Sequence, residues 1–516
     1  MSSQLIMAAV MFIYLAGMIL IGIFYAKKVN SSSKEFYLGG RKLSPLVTAM
    51  SAEASDMSSY LLMGLPGLAY FSGVADVGWT IIGLAAGTYL NWLLVARRLR
   101  IYSEEIDAYT VPGFFSRRFG DEKHLLSLIA ALIIIIFFIP YTASGFAAVG
   151  KLFHSLFGFD YMKAMLAGAA VIIAYTLLGG FLAVSTTDLI QSIVMTVSLF
   201  VIVGFGISLL GGFGAVAEAG STVPGYLDLF ATANISTGES GTYGFFSIVS
   251  TLAWGLGYFG MPHILLRFMG AKDPGSIKIS RRIASVWVVI SMGIAMLIGI
   301  MGFALSRAGY IETFASSSAA ESVIVQIAEL LGQKGTVPIL AAGIVLSGIL
   351  AATMSTADSQ LLASSSSVSE DILSSVFHFK LSKKTTMWIA RFSVIIISVI
   401  AVILARDPDS SVFGIVSFAW AGFGATFAPV MLSALFWKRA NKWGALAGMI
   451  SGAVMIFVWK YLVRPIGGGW DIYELLPAFL TAFAVIIAVS LLTEAPDKEV
   501  TDVFDRVNNK LKAVRD

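Results

Sequence analysis

About thirteen apolar runs succeed one another along this 516-residue chain, at about 5–26, 45–70, 77–96, 125–150, 163–184, 187–211, 243–267, 283–306, 336–372, 386–405, 412–436, 443–462 and 474–493. Each is near the roughly 20 residues that a helix needs to cross a bilayer. The repetition predicts an all-α polytopic membrane protein of about 13 transmembrane helices. Composition agrees, because 57% of the residues are hydrophobic and 13% are charged, against about 25% charged in soluble domains. With no cysteine in the chain, disulfides and thiolate metal sites are excluded. The four histidines lack the spacing of a metal site, and no glycine loop followed by lysine marks a phosphate cradle. Nothing points to nucleic acid as a partner.

The first run is too long for a signal peptide, lacks a basic start and is followed by Lys27 and Lys28, so it reads as an anchor. Alternate loops carry the positive charge: Lys27 to Lys42, Arg97 to Lys123, Lys272 to Arg282, Lys383 and Lys384, and Lys438 to Lys442. About 28 of the 35 Lys and Arg residues fall on that side, which the positive-inside rule makes cytoplasmic. The expected topology is N-terminus outside and C-terminus cytoplasmic, in a plasma membrane of bacterial inner-membrane type. Residues 1–493 read as one transmembrane domain, with its core at about 45–436, and 494–516 as a cytoplasmic tail. In that tail Val503, Phe504, Val507, Leu511 and Val514 recur at helical spacing. Two long outer loops, about 212–242 and 307–335, have the composition of short surface helices or a lid.

Three spans break uniform apolarity. The second contains Ser51-Ala-Glu-Ala-Ser-Asp-Met-Ser-Ser59, then Gly64-Leu-Pro-Gly67. A charge at mid-bilayer costs about 2.5–3.5 kcal/mol on insertion scales, so Glu53 and Asp56 need a partner, a cavity or an ion. Breaks at Ser, Gly and Pro free backbone carbonyls that protein or ligand must satisfy. The seventh span, Trp254-Gly-Leu-Gly-Tyr-Phe-Gly-Met-Pro262, holds a second cluster of helix breakers. Glycine and proline also occur in membrane helices merely as kinks. Two interrupted spans five apart point instead to a transporter's mid-membrane site.

The ninth span runs Ser347-Gly-Ile-Leu-Ala-Ala-Thr-Met-Ser-Thr-Ala-Asp-Ser-Gln360. Positions 352, 355, 356 and 359 share a helical face. Hydroxyl and carbonyl oxygens suit a hard alkali cation, although serine and threonine also serve as glue between helices. Asp188, at an inner span boundary, is read either as the cap of the following helix or as part of an ion exit path, with Asp358 as its counterpart.

Tyr175-Thr-Leu-Leu-Gly-Gly-Phe181 and Lys438-Arg-Ala-Asn-Lys-Trp-Gly-Ala-Leu-Ala-Gly448 resemble the two patterns of the sodium/solute symporter family. The resemblance runs over essentially the whole chain. It is most extended with the family's proline-transporting members, through Thr48 to Gly67, Trp254 to His263, and Ser355 to Gln360.

The resemblance implies a five-plus-five inverted-repeat core, spans two to six and seven to eleven. It implies sodium as the coupling ion and no cofactor. Ala54, Met57 and Ala352 are then carbonyl donors to sodium, and Ser355 and Thr356 hydroxyl donors. Asp56 acts through its field. Asp188, Asp358 and Ser359 stand where related symporters hold a second sodium. Ser58, Ser59, Tyr60 and Gln360 line a substrate pocket with an aromatic wall of Tyr141, Trp254, Tyr258 and Pro262. Arg41 matches a position tied to an inner gate.

The implied activity is sodium-coupled import of L-proline by alternating access, with no enzymatic chemistry. Sodium binds first and organises the broken helix, and the lipid bilayer is the remaining partner. Ser58-Ser59-Tyr60 stands where Ser-Gly-Trp is expected, and Met261 where Gln is expected. Another small amino acid or a carboxylate is therefore the near alternative substrate. A membrane receptor with a transporter-like fold is the alternative of a different class, against which the short tail argues. Glu53 has no role in this reading.

Overall fold

In lipid every backbone polar group needs an internal partner, and helices supply it along a single segment. A computed structural model describes residues 3–26, 33–177, 180–377, 379 and 382–513. Lys27, Lys28, Leu178, Gly179 and Val514, which entered the expectations above, lie outside the described residues. Among these, ten helices are long and apolar enough to cross a membrane, from Ser3–Phe24 to Leu475–Leu492. The other three expected runs lie where the apolar helix is shorter: Tyr60–Ser72, Tyr161–Thr176 and Phe245–Gly260.

The second run is broken as its sequence demands. The helix Pro45–Asp56 starts on the Ser44 side chain, which accepts from the Val47 N–H, with Pro45 in the first turn. It ends at Met57 (φ −77°, ψ 68°). A wide turn over Tyr60–Gly64 follows, in which the Leu65 N–H reaches the Tyr60 carbonyl, and then the helix Leu65–Ser72. Pro66 has no N–H to continue an ordinary helical ladder through this point. The Tyr226 hydroxyl bonds the carbonyls of Ala69 and Tyr70 at 2.9 and 2.8 Å, satisfying acceptors at the far end.

The seventh run divides into Phe245–Leu252, a tight 3-10 stretch Ala253–Gly260, and Pro262–Gly270. Met261 is extended (ψ 110°), as the residue before a proline prefers. Glycines allow close crossing here. A Cβ on Gly87 would stand 2.3 Å from the Gly255 carbonyl oxygen, and one on Gly257 would meet the Trp420 indole nitrogen at 1.9 Å. Without a hydrophobic drive between helices in lipid, such backbone approaches carry the packing.

The two broken elements are stitched together at one end. The Leu43 N–H bonds the Gly270 carbonyl at 3.2 Å and the Lys272 N–H bonds the Leu43 carbonyl at 3.0 Å. The long helix Thr336–Ser366 is buried almost throughout from Ala342 onward. It packs against Ser3–Ala26, Pro45–Asp56, Leu125–Phe157, Phe181–Leu210 and Lys383–Leu404. By contrast, Phe392, Ile396, Val399 and Ile403 on Lys383–Leu404 are exposed, as a helix side turned to lipid requires.

The two long loops expected at about 212–242 and 307–335 contain the helix Phe213–Ser221, a hairpin pairing Ala231–Ala233 with Ser240–Thr242, and the helices Ser317–Ala320 and Val323–Gly332. The tail forms the helix Lys498–Ala513, and Phe504 and Val507 are buried against the bundle.

Candidate functional site

The break at residues 57–59 faces the middle of the Thr336–Ser366 helix. There the Ser355 hydroxyl approaches the Ala54 carbonyl at 2.8 Å and the Ala352 carbonyl at 3.1 Å. The Thr356 hydroxyl is buried and has no hydrogen-bond partner among the described residues. Buried polar atoms are nearly always paired, so an orphaned hydroxyl on the residue next to Ser355 fits a cation's needs. Ala54, Ala352 and Ser355 are thus brought together, with Thr356 next to Ser355 on the same helix and Met57 at the end of the Pro45–Asp56 helix. All are neutral oxygen donors, suited to a monovalent hard cation.

Asp56 is buried, and its carboxylate accepts a hydrogen bond from the Tyr258 hydroxyl at 2.6 Å. The Tyr141 hydroxyl reaches the Asp56 carbonyl at 3.3 Å. A cavity of about 10 Å³ lies among Asp56, Tyr60, Tyr141, Trp254 and Trp420, roofed by Leu84, Met292 and Val416. Its walls are closed by ring contacts. Trp254 lies 5.8 Å from Tyr60, 5.4 Å from Phe413 and 5.1 Å from Tyr473 between centroids. The Trp420 indole N–H bonds the Trp254 carbonyl at 2.8 Å. This is a collapsed aromatic chamber next to the oxygen cluster.

Of the expected substrate residues, Tyr60, Tyr141 and Trp254 line the chamber, and Tyr258 reaches it through Asp56. Ser58, Ser59 and Pro262 are buried nearby in the breaks. Gln360 lies by the Tyr141 helix, its side-chain oxygen accepting from Thr142 at 3.1 Å. Trp420, Phe413 and Met292 were missed. Trp420 has one signal, a large ring within the small-residue run Ala419 to Ala425.

A second cluster lies deeper. The helix Phe181–Leu210 begins after Gly180, so Asp188 sits two turns inside it and does not cap it. Arg267, absent from the expectations, bonds the Asp188 carboxylate at 3.0 Å, the Ser359 hydroxyl at 2.6 Å, and the Ser51 hydroxyl at 3.0 Å. Ser51 in turn donates to Asp188 at 2.6 Å. Asp358 joins through Ser359 at 3.4 Å. Asp188, Asp358 and Ser359 are therefore gathered, with a guanidinium among them. Oxygens of both acids remain unpaired among the described residues, as does the Gln191 side chain one turn beyond Asp188.

Glu53 now has a partner: the Trp92 indole N–H donates to it at 2.9 Å. Arg41 (φ +58°) is buried and holds Ser103 through its hydroxyl and carbonyl, Met269 at 2.5 Å and the Ala108 carbonyl at 2.9 Å. It clamps the stitched end of the two broken elements. At the opposite end Glu321 bonds the Lys151 ammonium at 2.6 Å. It also accepts from the N–H groups of Val412 and Phe413 at 3.1 and 3.0 Å, closing the first turn of Val412–Thr426.

The family model for the sodium:solute symporter family matches residues 36–452. The sodium/proline symporter of Haemophilus influenzae is 43% identical over 511 residues, covering 98% of each chain. The high-affinity proline transporter PutP of Bacillus subtilis is 42% identical over 490 residues, 95% of this chain and 98% of that one. Among solved structures, a Na+-coupled sialic acid symporter superposes with a TM-score of 0.76 at 19% identity, covering 96% of this chain and 99% of that one. MHP1, a nucleobase-cation-symport-1 family transporter, gives 0.52 at 16% identity, covering 92% and 99%. The two structural likenesses concern the fold. The match over residues 36–452 and the end-to-end relatives settle the lineage: the chain belongs to the sodium:solute symporter family.

Proposed function

We propose that this symporter imports L-proline with sodium by alternating access. The observation that carries the reading is the adjacency of an oxygen cluster for a monovalent cation and an aromatic chamber, joined through Asp56. A pyrrolidine ring packs well on aromatic faces, and its carboxylate suits the free N–H groups of a broken helix. The names of the relatives agree with this substrate.

Ala54, Met57, Ala352, Ser355 and Thr356 hold sodium, with Asp56 adding its field. Sodium straightens the break, Tyr60, Tyr141, Trp254 and Tyr258 close on proline with Ser58, Ser59, Pro262 and Gln360 around them, and the core rocks. The Arg41 clamp opens last. Asp188, Asp358 and Ser359 form the exit path or second cation site, where Arg267 supplies a standing positive charge. The core is two inverted five-helix repeats within about 13 spans, the N-terminus is outside, and the docked tail is cytoplasmic. The basic loops support that orientation.

The driving force is sufficient. One positive charge moving inward at about 100 mV supplies about 2.3 kcal/mol, and a tenfold sodium gradient about 1.4 kcal/mol. Together these sustain roughly a 500-fold proline gradient. Uptake of labelled proline into proteoliposomes, with and without a sodium gradient, tests the reading. Sodium-independent uptake, or uptake that excess unlabelled proline leaves untouched, contradicts it. Absence of sodium-dependent proline uptake, with sodium-dependent uptake of another small amino acid or a carboxylate in its place, favours the substrate class left open by Ser58-Ser59-Tyr60 and Met261.

A further inference from the structure

Another cavity shares no lining residue with the aromatic chamber, although Trp92, whose indole N–H bonds Glu53, stands on its wall. It encloses about 750 Å³ at the Arg-rich end of the Val74–Glu105 helix and is lined by Arg97, Arg98, Lys278, Arg281 and Lys512. Among the described residues no acidic side chain lines it. We propose that it is a binding site for the headgroup of an anionic phospholipid.

Three observations carry the assignment. The first is charge. Among the described residues, Arg97, Lys278, Arg281 and Lys512 enter no ion pair. Their neighbours on the tail helix behave differently: Arg506 and Lys510 both pair with Glu105, and Asp505 pairs with Lys438. The chain has neutralised one face of that helix and left cations facing the cavity. The Arg281 Nε is buried with no hydrogen-bond partner among the described residues.

The second is the lip. Leu93, Leu94 and Phe436 line the cavity and are 43%, 43% and 45% exposed. A soluble anion has no use for an apolar rim, whereas acyl chains leaving a bound headgroup would lie against it. The third is position. The cavity lies between spanning helices at the end of the bundle where the basic loops gather. Basic pockets between helices on that side suit anionic headgroups, and that leaflet holds the anionic lipid. The orientation rests on the topology proposed above, but the binding does not depend on which solute is carried.

The cavity also joins parts distant in sequence. Asn508 lines it and bonds Arg98, so a bound headgroup would touch the tail helix, the Val74–Glu105 helix and the start of Ile277–Arg307 together.

The test uses the purified full-length chain in neutral detergent, with binding of phosphatidylglycerol, phosphatidylcholine and inorganic phosphate followed by native mass spectrometry. Phosphatidylglycerol should bind, and the triple variant Arg97→Gln/Lys278→Gln/Arg281→Gln should weaken it about tenfold or more. A control with equal charge loss elsewhere, Lys123→Gln/Arg282→Gln/Lys442→Gln, should stay within about twofold. If the triple variant does not fold, Arg281→Gln alone should lower binding and Arg281→Lys should restore it. Equal binding by wild type and charge-depleted variants overturns the proposal. So does phosphatidylcholine binding as well as phosphatidylglycerol, or displacement of the lipid by millimolar inorganic phosphate, which would make the cavity a soluble-anion site.

Discussion

The Tyr258 hydroxyl donates to the Asp56 carboxylate at 2.6 Å and so ties the break after Pro45–Asp56 to the 3-10 stretch Ala253–Gly260. Asp56 lines the aromatic chamber and lies two residues beyond Ala54 of the oxygen cluster, and Tyr258 is its one hydrogen-bonding side chain among the described residues. Asp56→Asn should raise the sodium concentration for half-maximal uptake. Tyr258→Phe removes a hydrogen bond to a charged group, worth about 1.5–3 kcal/mol, and should raise the same concentration by roughly tenfold or more. The double variant should be little worse than Asp56→Asn, because both changes break one contact. Additive losses in sodium-titrated uptake would show that the two residues act separately.

Ser355 and Thr356 are adjacent hydroxyls in opposite circumstances. Ser355 serves two carbonyls, whereas Thr356 serves none. Ser355→Ala should therefore destabilise the sodium-free protein by about 1 kcal/mol. Thr356→Val, which removes an orphaned polar atom at nearly constant volume, should leave the sodium-free protein unchanged or slightly more stable. Both should shrink the rise in unfolding temperature on adding sodium. A full sodium-induced rise in Thr356→Val would remove Thr356 from the ligand set.

Trp254 touches Tyr60, Phe413, Trp420 and Tyr473, so it holds the chamber rather than the ion. Trp254→Ala should weaken proline binding by roughly 30-fold or more, the usual loss at a buried aromatic anchor. Sodium binding alone, read by the unfolding shift, should change little. Parallel losses of both would merge the two sites into one.

Much of this was legible in residue types. Glycine and proline mark the interrupted stretch of the seventh span and the wide turn of the second, whereas the helix end at Met57 falls among Asp, Met and Ser, and the cost of Asp56 in oil singles it out as a candidate site. The face of 352, 355, 356 and 359 follows from helical spacing alone. The partners were not legible. Arg267 reads as one more basic residue at the end of a span, yet it folds back among Asp188, Ser51 and Ser359. Trp92 lies 39 positions from the Glu53 it bonds. Trp420 is 166 positions from the carbonyl it caps. Spacing predicts which residues share a face of one helix. Which face meets which partner is decided by crossings that depend on glycine contacts such as Gly87 with Gly255.

The Asp188–Arg267 pair is fully buried, at 0% and 1% side-chain exposure. Breaking such a pair from one side strands a charge and costs about 3–5 kcal/mol. Arg267→Gln and Asp188→Asn should each lower the unfolding temperature and the yield of folded protein sharply. The double variant should recover much of the stability, because neither member of the pair is then left facing a neutral partner. If the double variant is as unstable as the sum of the singles, the pair is not what holds these helices together.

Arg41 makes its bonds to Ser103, Ala108 and Met269 where the two broken elements are stitched by Leu43. Arg41→Ala deletes all of them and leaves the Met269 and Ala108 carbonyls to water. The closed end should then open more often. The chain contains no cysteine, so a single one placed at Ala52, a buried position on the Pro45–Asp56 helix, reports that opening cleanly. In the Arg41→Ala background a thiol reagent supplied from the basic side should label it about tenfold faster or more, since losing several charge-assisted bonds exceeds 1.4 kcal/mol. Sodium should slow labelling in the wild-type background by favouring the state closed on that side, and much less in Arg41→Ala. Equal labelling rates with and without Arg41 would show that the stitched backbone alone holds the end shut.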